Sequence, residues 1–422
     1  MFKKLMCVLF ILSFILLYAP ATIAVPPLQE GEGVLIYNSY MGDPLPREAD
    51  TELVAMYQKA NPDLVIVHSI VAHEDFKQAI RAYLTSSTPP DVLTWFAGNR
   101  ARFFIDKGLI MDITDLWEEQ GWDEAYPKGF KAMSSVNDRV YFLPQTWYWW
   151  AVFYRKSIFE KYNLKPPETW EEFLKVCETL KANGVAPIAI GTKYPWTAAG
   201  WFDYLNMRVN GPEFHINLML GKEKYDDPRV KKVFEYWAEL IKKGYFLENA
   251  AAYAWQEAIP FMLQEKAAMY LMGQFILDSV PDEYDADFDF FRFPIINPDV
   301  GIGEDAPTDG YFIAANAAHP VEAKKFLAFL GSTESQQFMA KKMGRITANV
   351  KVDPSIYSEF TLKGIELIKG ADFVAQFYDR DTTPEMAEEG MSAFAEFWDN
   401  PDNIDDILAR LEAARKEIFE AE

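Results

Sequence analysis

Short apolar runs alternate with stretches of helical spacing along the first part of the chain. GVLIYNSY, Gly33–Tyr40, is apolar and then polar, the pattern of a buried strand that feeds a loop. Asp50–Ala60 has helical spacing and stops at Asn61-Pro62. Leu64–Ser69 is β-branched and strand-like, Glu74–Leu84 is helical again, and Asp91–Trp95 follows Pro89-Pro90 as another strand. Strands alternating with helices predict an α/β fold with a parallel sheet. Further on, Thr169 with Glu172 three residues later predicts a capped helix start. Pro228–Lys243, Trp255–Gln264, Pro320–Leu330 and Asn403–Glu420 have helical spacing, and Ala267–Met272 reads as a strand. Asp285, Asp287 and Asp289 alternate with Ala286, Phe288 and Phe290, as on a half-exposed strand.

At 422 residues the chain exceeds the usual size of one hydrophobic core, so two domains are expected. Half of it is hydrophobic and 15% is aromatic, which excludes wholesale disorder. The aromatic residues are crowded. QTWYWWAVFYRK, Gln145–Lys156, holds Trp147, Tyr148, Trp149, Trp150, Phe153 and Tyr154. Such a run is either a thick piece of core or a platform for a flat ligand. A sugar presents C–H patches on its ring faces and hydroxyls round its edge. A site for one therefore needs flat apolar rings with polar side chains beside them. Trp95, Trp147, Trp149, Trp150, Trp196, Trp201 and Trp255 all lie near Gly, Pro, Asn, Gln or Asp.

Charge and the N-terminus narrow the partners. A formal net charge of −22 repels nucleic acid and anionic membrane surfaces and leaves a neutral ligand indifferent. Lys3 and Lys4, the apolar run Leu5–Tyr18, and Thr22-Ile23-Ala24 have the order of a cleaved export signal over residues 1–24. That run is shorter than the roughly 20 residues a spanning helix needs. Cys7 lies inside the leader, so Cys177 would be alone after cleavage and no internal disulfide is expected.

Catalytic and cofactor motifs are missing. His68, His73, His215 and His319 are scattered, and no P-loop, G-x-S-x-G or H-E-x-x-H is present. Gly301-Ile302-Gly303 fails as a dinucleotide fingerprint at its third glycine. Asp285-x-Asp287-x-Asp289 opens like a calcium loop, but Phe290 and Ile296 stand where Gly and Glu are needed. No cofactor or metal is expected. A carboxylate pair for glycoside hydrolysis remains open, because pair separation is a three-dimensional fact.

Five segments in one order resemble the extracellular sugar-binding proteins of ABC importers, the maltose-binding type of solute-binding protein. They are PPDVLTWFAGNRARFFIDKGLIMDITDL (Pro89–Leu116), VYFLPQTWYWWAVFYRKSIFEKYNLKPPETWEEF (Val140–Phe173), KAAMYLMGQF (Lys266–Phe275), DGYFIAANAAHPVEAKKFLAFL (Asp309–Leu330) and GRITANVKV (Gly344–Val352). The resemblance implies two α/β lobes joined by a hinge that the chain crosses about three times, with ligand in the cleft. The lobes would hold residues 25–143 with 292–345, and 144–291 with 346–422. It also implies a periplasmic or extracellular monomer that delivers a mono- or oligosaccharide to a membrane permease. A secreted carbohydrate-active enzyme is the alternative, and a peptide or polyamine ligand a weaker third reading.

Candidate ligand contacts follow. Trp95 ends a strand, and in α/β sheets ligands gather at the carboxyl ends of strands. The strand crossing the hinge offers Trp147 with Trp149 on one face and Tyr148 with Trp150 on the other. Sequence leaves open which pair meets the cleft. Trp196 and Trp255 are proposed on the resemblance. Phe275 stands where the family usually has Trp, and it can still stack with less area. Gln145, Gln274, Asp309, Arg345 and Arg380 supply polar partners, with Asp309 first because it precedes Gly310 and a carboxylate can accept from two hydroxyls.

Overall fold

A computed structural model describes residues 33–420. The expected export signal lies outside the described residues. Two hydrophobic cores form, each round its own sheet.

The first sheet has six strands in the order Ile346–Thr347, Leu143–Trp147, Thr308–Ile313, Val92–Phe96, Gly33–Ser39, Leu64–Ile70. Gly33–Ser39 runs parallel to both Val92–Phe96 and Leu64–Ile70. The helices between them are Pro44–Ala60 and His73–Thr85. The first of these begins six residues before the spacing suggested, with Pro44 in its first turn, where its missing N–H costs nothing. The other three strands each pair antiparallel with their neighbours. The sheet is therefore mixed rather than wholly parallel.

The second sheet has the order Phe288–Phe291, Trp150–Arg155, Ala267–Gly273, Ala186–Ile188. Helices Trp170–Ala182, Trp196–Asn210 and Pro228–Lys242 pack round it. The expected capping box is present: Glu172 N donates to Thr169 Oγ1 at 3.3 Å, and Thr169 N donates to Glu172 Oε2 at 3.2 Å. The alternating aspartates behave differently from their pattern. Asp282–Asp287 is a 3₁₀ turn, and only Phe288–Phe291 is strand. Asp287 is occupied locally, accepting from Ser157 N at 2.7 Å and Ser157 Oγ at 2.6 Å and pairing with Arg155.

Expected changeovers between lobes at 143/144, 291/292 and 345/346 fall short of the observed ones. Leu143–Trp147 and Ile346–Thr347 pair in the first sheet. Phe293 belongs to the second core, against Trp170, Trp201 and Tyr204. The chain passes between sheets at Tyr148–Trp149, at Ala306–Pro307 and after Ala348. A parallel pair, Gly303–Asp305 with Phe373–Ala375, lies beside these crossings. Trp149 goes into the second core, where helix Glu359–Lys369 sits directly on its indole. A Cβ on Gly364 would stand 2.3 Å from that ring, so only glycine allows the approach.

Candidate functional site

Two sets of side chains meet between the lobes. One is aromatic. Strand Trp150–Arg155 begins opposite Gly273, and Phe275 follows two residues on. Phe275 lies at the centre of a group of rings: Trp255 at 5.1 Å, Tyr148 at 5.3 Å, Trp150 at 6.0 Å and Trp196 at 6.2 Å between centroids. Phe377 stacks on Trp150 at 4.7 Å. A Cβ on Gly273 would come within 2.4 Å of the Phe275 ring, so glycine there sets the ring's position. Trp196 and Phe275 stay partly exposed. Edge-to-face packing of this kind leaves ring faces free to meet C–H groups.

The other set is charged. Asp309 Oδ1 accepts from Tyr40 Oη at 2.9 Å and from Arg380 Nη1 at 3.0 Å. Arg380 Nη2 donates to Tyr148 Oη at 2.9 Å, and the guanidinium lies over the Phe96 ring at 4.1 Å. Asp309 comes from a strand of the first lobe and Arg380 from the turn Tyr378–Asp381 of the second, so their pair spans the cleft. Arg345 and Asp278 make another cross-lobe pair at 2.5 Å. Lys77–Asp379 at 3.0 Å, Arg81–Glu385 at 2.7 Å and Gln256–Asp43 at 3.2 Å draw the rims together.

Burial sets the electrostatics here. Desolvation, then the Asp309 carboxylate, push the Tyr40 phenol well above its ordinary value, so it stays protonated and donates. Burial alone would lower Arg380, but Tyr148 and then Asp309 outweigh it and hold the guanidinium charged. Burial would likewise raise Asp379. Lys77, Arg100 and Arg380 overcome that and pull it down to about 2. Trp150 Nε1, Gln274 Oε1 and Arg345 Nε are buried with no protein partner among the described residues. A buried donor or acceptor left unpaired costs roughly 1–3 kcal/mol, so these atoms suit hydroxyls arriving with a ligand.

Of the twelve candidate residues, Tyr148, Trp150, Trp196, Trp255, Phe275, Gln274, Asp309, Arg345 and Arg380 gather in this region. Gln145 lies where strand pairing skips from Thr146 to Pro144 opposite Asp309 and Gly310. Such an irregularity re-aims a side chain, and both polar atoms of the Gln145 amide are buried without partners. Two candidates go elsewhere. Trp95 is 0% exposed, with its indole against Phe76, Phe96 and Phe104, and it belongs to the first core. Its neighbour Phe96, with the Arg380 guanidinium over its ring, meets the site instead. Trp147 faces away from the ring group, into a separate cavity. Tyr40 and Phe96 were missed. Tyr40 ends the strand-and-loop segment GVLIYNSY, so the strand-end rule applied to Trp95 would have found it.

Two sheets with separate cores, three crossings and polar groups converging from both sides define a two-lobe binding protein. Residues 38–337 match the family model of bacterial extracellular solute-binding proteins, and the chain belongs to that family. An uncharacterized ABC transporter extracellular-binding protein of Pyrococcus horikoshii is 29% identical over 69% of this chain and 66% of its own. A multiple sugar-binding protein of Streptococcus mutans is 25% identical over 68% of each. The solved structure of the bacterial solute receptor AcbH, described as exclusive for β-D-galactopyranose, superimposes with a TM-score of 0.87. It shares 31% identity and covers 92% of this chain and 100% of its own. These are receptors for solutes and not enzymes. Among the described residues no helix is long and apolar enough to cross a membrane.

Proposed function

We propose that this protein captures a neutral sugar between its lobes, outside the cytoplasmic membrane, and delivers it to the permease of an ABC importer. The carrying observation is the junction of two chemistries in one place. Phe275, Trp196, Trp255 and Trp150 offer ring faces, and Asp309, Arg380, Tyr40 and Tyr148 offer hydrogen bonds beside them. Ring faces match C–H patches, and the carboxylate with its partners matches hydroxyls. The names of the S. mutans relative and of AcbH support a sugar as the class of ligand. We assign Gln145, Gln274 and Arg345 to further hydroxyls through their unpartnered atoms.

The lobes are divided at the three crossings, and ligand closes them because the ring group and Arg380 belong to one side and Asp309 and Tyr40 to the other. A shift from mostly open to mostly closed needs about 5.5 kcal/mol of differential affinity. The protein acts as a monomer, with residues 1–24 removed on export. Thermal-shift screening against mono- and oligosaccharides, D-galactose first, followed by calorimetry and small-angle scattering, tests the reading. A stabilising sugar that also lowers the radius of gyration is the expected result. No response to any sugar, or turnover of one, overturns it.

A further inference from the structure

The stretch that carries Tyr148 and Trp150 into the ring group turns Trp147 the other way, into a second cavity of about 470 Å³. Each crossing between the lobes contributes a wall: Trp147 from the first, Ala306 and Thr308 from the second, Ile346, Ala348 and Val350 from the third. Phe130 and Met133 close it from one lobe, Ile368 and Val374 from the other. The size is within the range of small-molecule pockets. Its chemistry is distinct from that of the cleft. No lining residue is charged, in a chain with 63 acidic and 41 basic residues. At its edge Val350 and Val374 are 60% and 43% exposed, apolar surface left in water that an occupant would cover. Tyr357 Oη accepts from Thr347 N at 3.1 Å and keeps its own proton to donate.

We propose that this cavity is a second ligand site, behind the hinge, for an uncharged, mainly apolar small molecule with one hydrogen-bond acceptor, and that its occupation favours closure. The acceptor receives a hydrogen bond from Tyr357 Oη, and the apolar body lies against Trp147. Charged molecules are excluded because nothing in the lining compensates their desolvation. Coupling follows from geometry. The cavity exists in the arrangement where Asp309–Arg380, Arg345–Asp278 and Lys77–Asp379 join the lobes. Rotation about the crossings that parts these pairs moves Ile368 and Val374 relative to Phe130 and Met133 and changes the cavity's shape. A molecule that fits the joined arrangement binds it better and shifts the population towards it. This coupling rests on the proposed capture of sugar in the cleft, and linkage then makes it reciprocal.

Acetophenone is a suitable probe, being one ring with one carbonyl acceptor, and benzoate is its charged counterpart of nearly equal shape. Calorimetry on the sugar-free protein should show acetophenone binding and benzoate not binding. Val374→Lys, placed at the exposed edge where folding is undisturbed, should abolish acetophenone binding. Acetophenone alone should lower the radius of gyration, a readout independent of any sugar. With the panel sugar that binds, it should tighten affinity by about fivefold or more. Equal binding of benzoate, undiminished binding to Val374→Lys, or no binding of acetophenone up to its solubility overturns the site. Binding that leaves the radius of gyration unchanged overturns its role in closure. A failure of every sugar would sink the capture reading and leave the acetophenone measurements standing.

Discussion

Two aromatic groups in this molecule use the same residue types and have opposite fates. Round Trp95 in the first lobe, Phe76, Phe96 and Phe104 pack within 6.2 Å and the indole is sealed from water. Round Phe275 in the second, Tyr148, Trp150, Trp196 and Trp255 stand at similar separations, yet Phe275 and Trp196 keep exposed surface. Ring geometry therefore does not separate core from site. What separates them is the edge. The Trp95 indole N–H is directed at Arg100 O at 3.4 Å, within its own lobe. The Trp150 N–H has no protein partner, and Phe275 and Tyr148 beside it lead through Arg380 to Asp309 of the opposite lobe. A group that is sealed builds stability. One that keeps ring surface open beside polar side chains from both lobes is poised for a ligand.

Removing Trp95 should produce the largest effect, and on stability alone. Trp→Ala in a sealed core costs about 3–5 kcal/mol. Denaturant melts of Trp95→Ala should lose that much, while the folded fraction binds sugar as the parent does. A large affinity loss with unchanged stability would reverse the assignment of the two groups. Next comes Arg380→Ala. It leaves the Asp309 carboxylate buried without its cross-lobe partner, which costs about 3 kcal/mol, over a hundredfold in Kd by calorimetry. Arg380→Lys should recover part of this, since it restores charge without the fork that reaches Asp309 and Tyr148 together. Trp196→Ala ranks third. Its loss should weaken sugar binding by about 2 kcal/mol and change the melting midpoint little, because the ring is already partly exposed. If Trp196→Ala and Trp95→Ala give the same pair of readings, the distinction drawn between the groups fails.

The sequence made the fold legible because its signals were periodic. Strands and helices of the first lobe follow apolar spacing, and Thr169 with Glu172 marks a helix start by a local rule. The tie of Asp287 to Ser157 and Arg155 was hidden, since those partners lie over a hundred residues away. The site was half legible for the same reason. The strand-end rule located the right end of the sheet but chose Trp95 over Phe96, and alternation decides between neighbours only once the face is known. Tyr148 and Trp150 against Trp147 and Trp149 posed that problem again, and only the positions of Phe275 and Gly364 resolve it. Arg380 could be suspected from its aromatic neighbours, but its pairing with Asp309 crosses two lobes and leaves no trace in local pattern.

The smallest effect concerns the turn that carries Arg380 to the ring group, and it has no counterpart round Trp95. Asp381 closes this turn by accepting from Gln376 N at 2.9 Å. Burial pushes its carboxyl up to about 7, with Gln376 N and Arg380 opposing only in part. Asp203 and Asp305 are buried nearby and are themselves raised, chiefly by burial. An acid raised on folding holds its proton more tightly in the folded chain. Its contribution to stability is complete below the unfolded value near pH 4 and is lost as pH rises through 7. Between pH 6 and pH 8 the folded protein should lose about 1 kcal/mol from this group. Asp381→Asn keeps an acceptor for Gln376 N and cannot ionise, so its stability over that interval should be flatter than the parent's. Melts at pH 6, 7 and 8 on both proteins decide the point. Parallel profiles would mean that Asp381 is ionised throughout, and that the turn holds Arg380 against Asp309 with a full charge at its base.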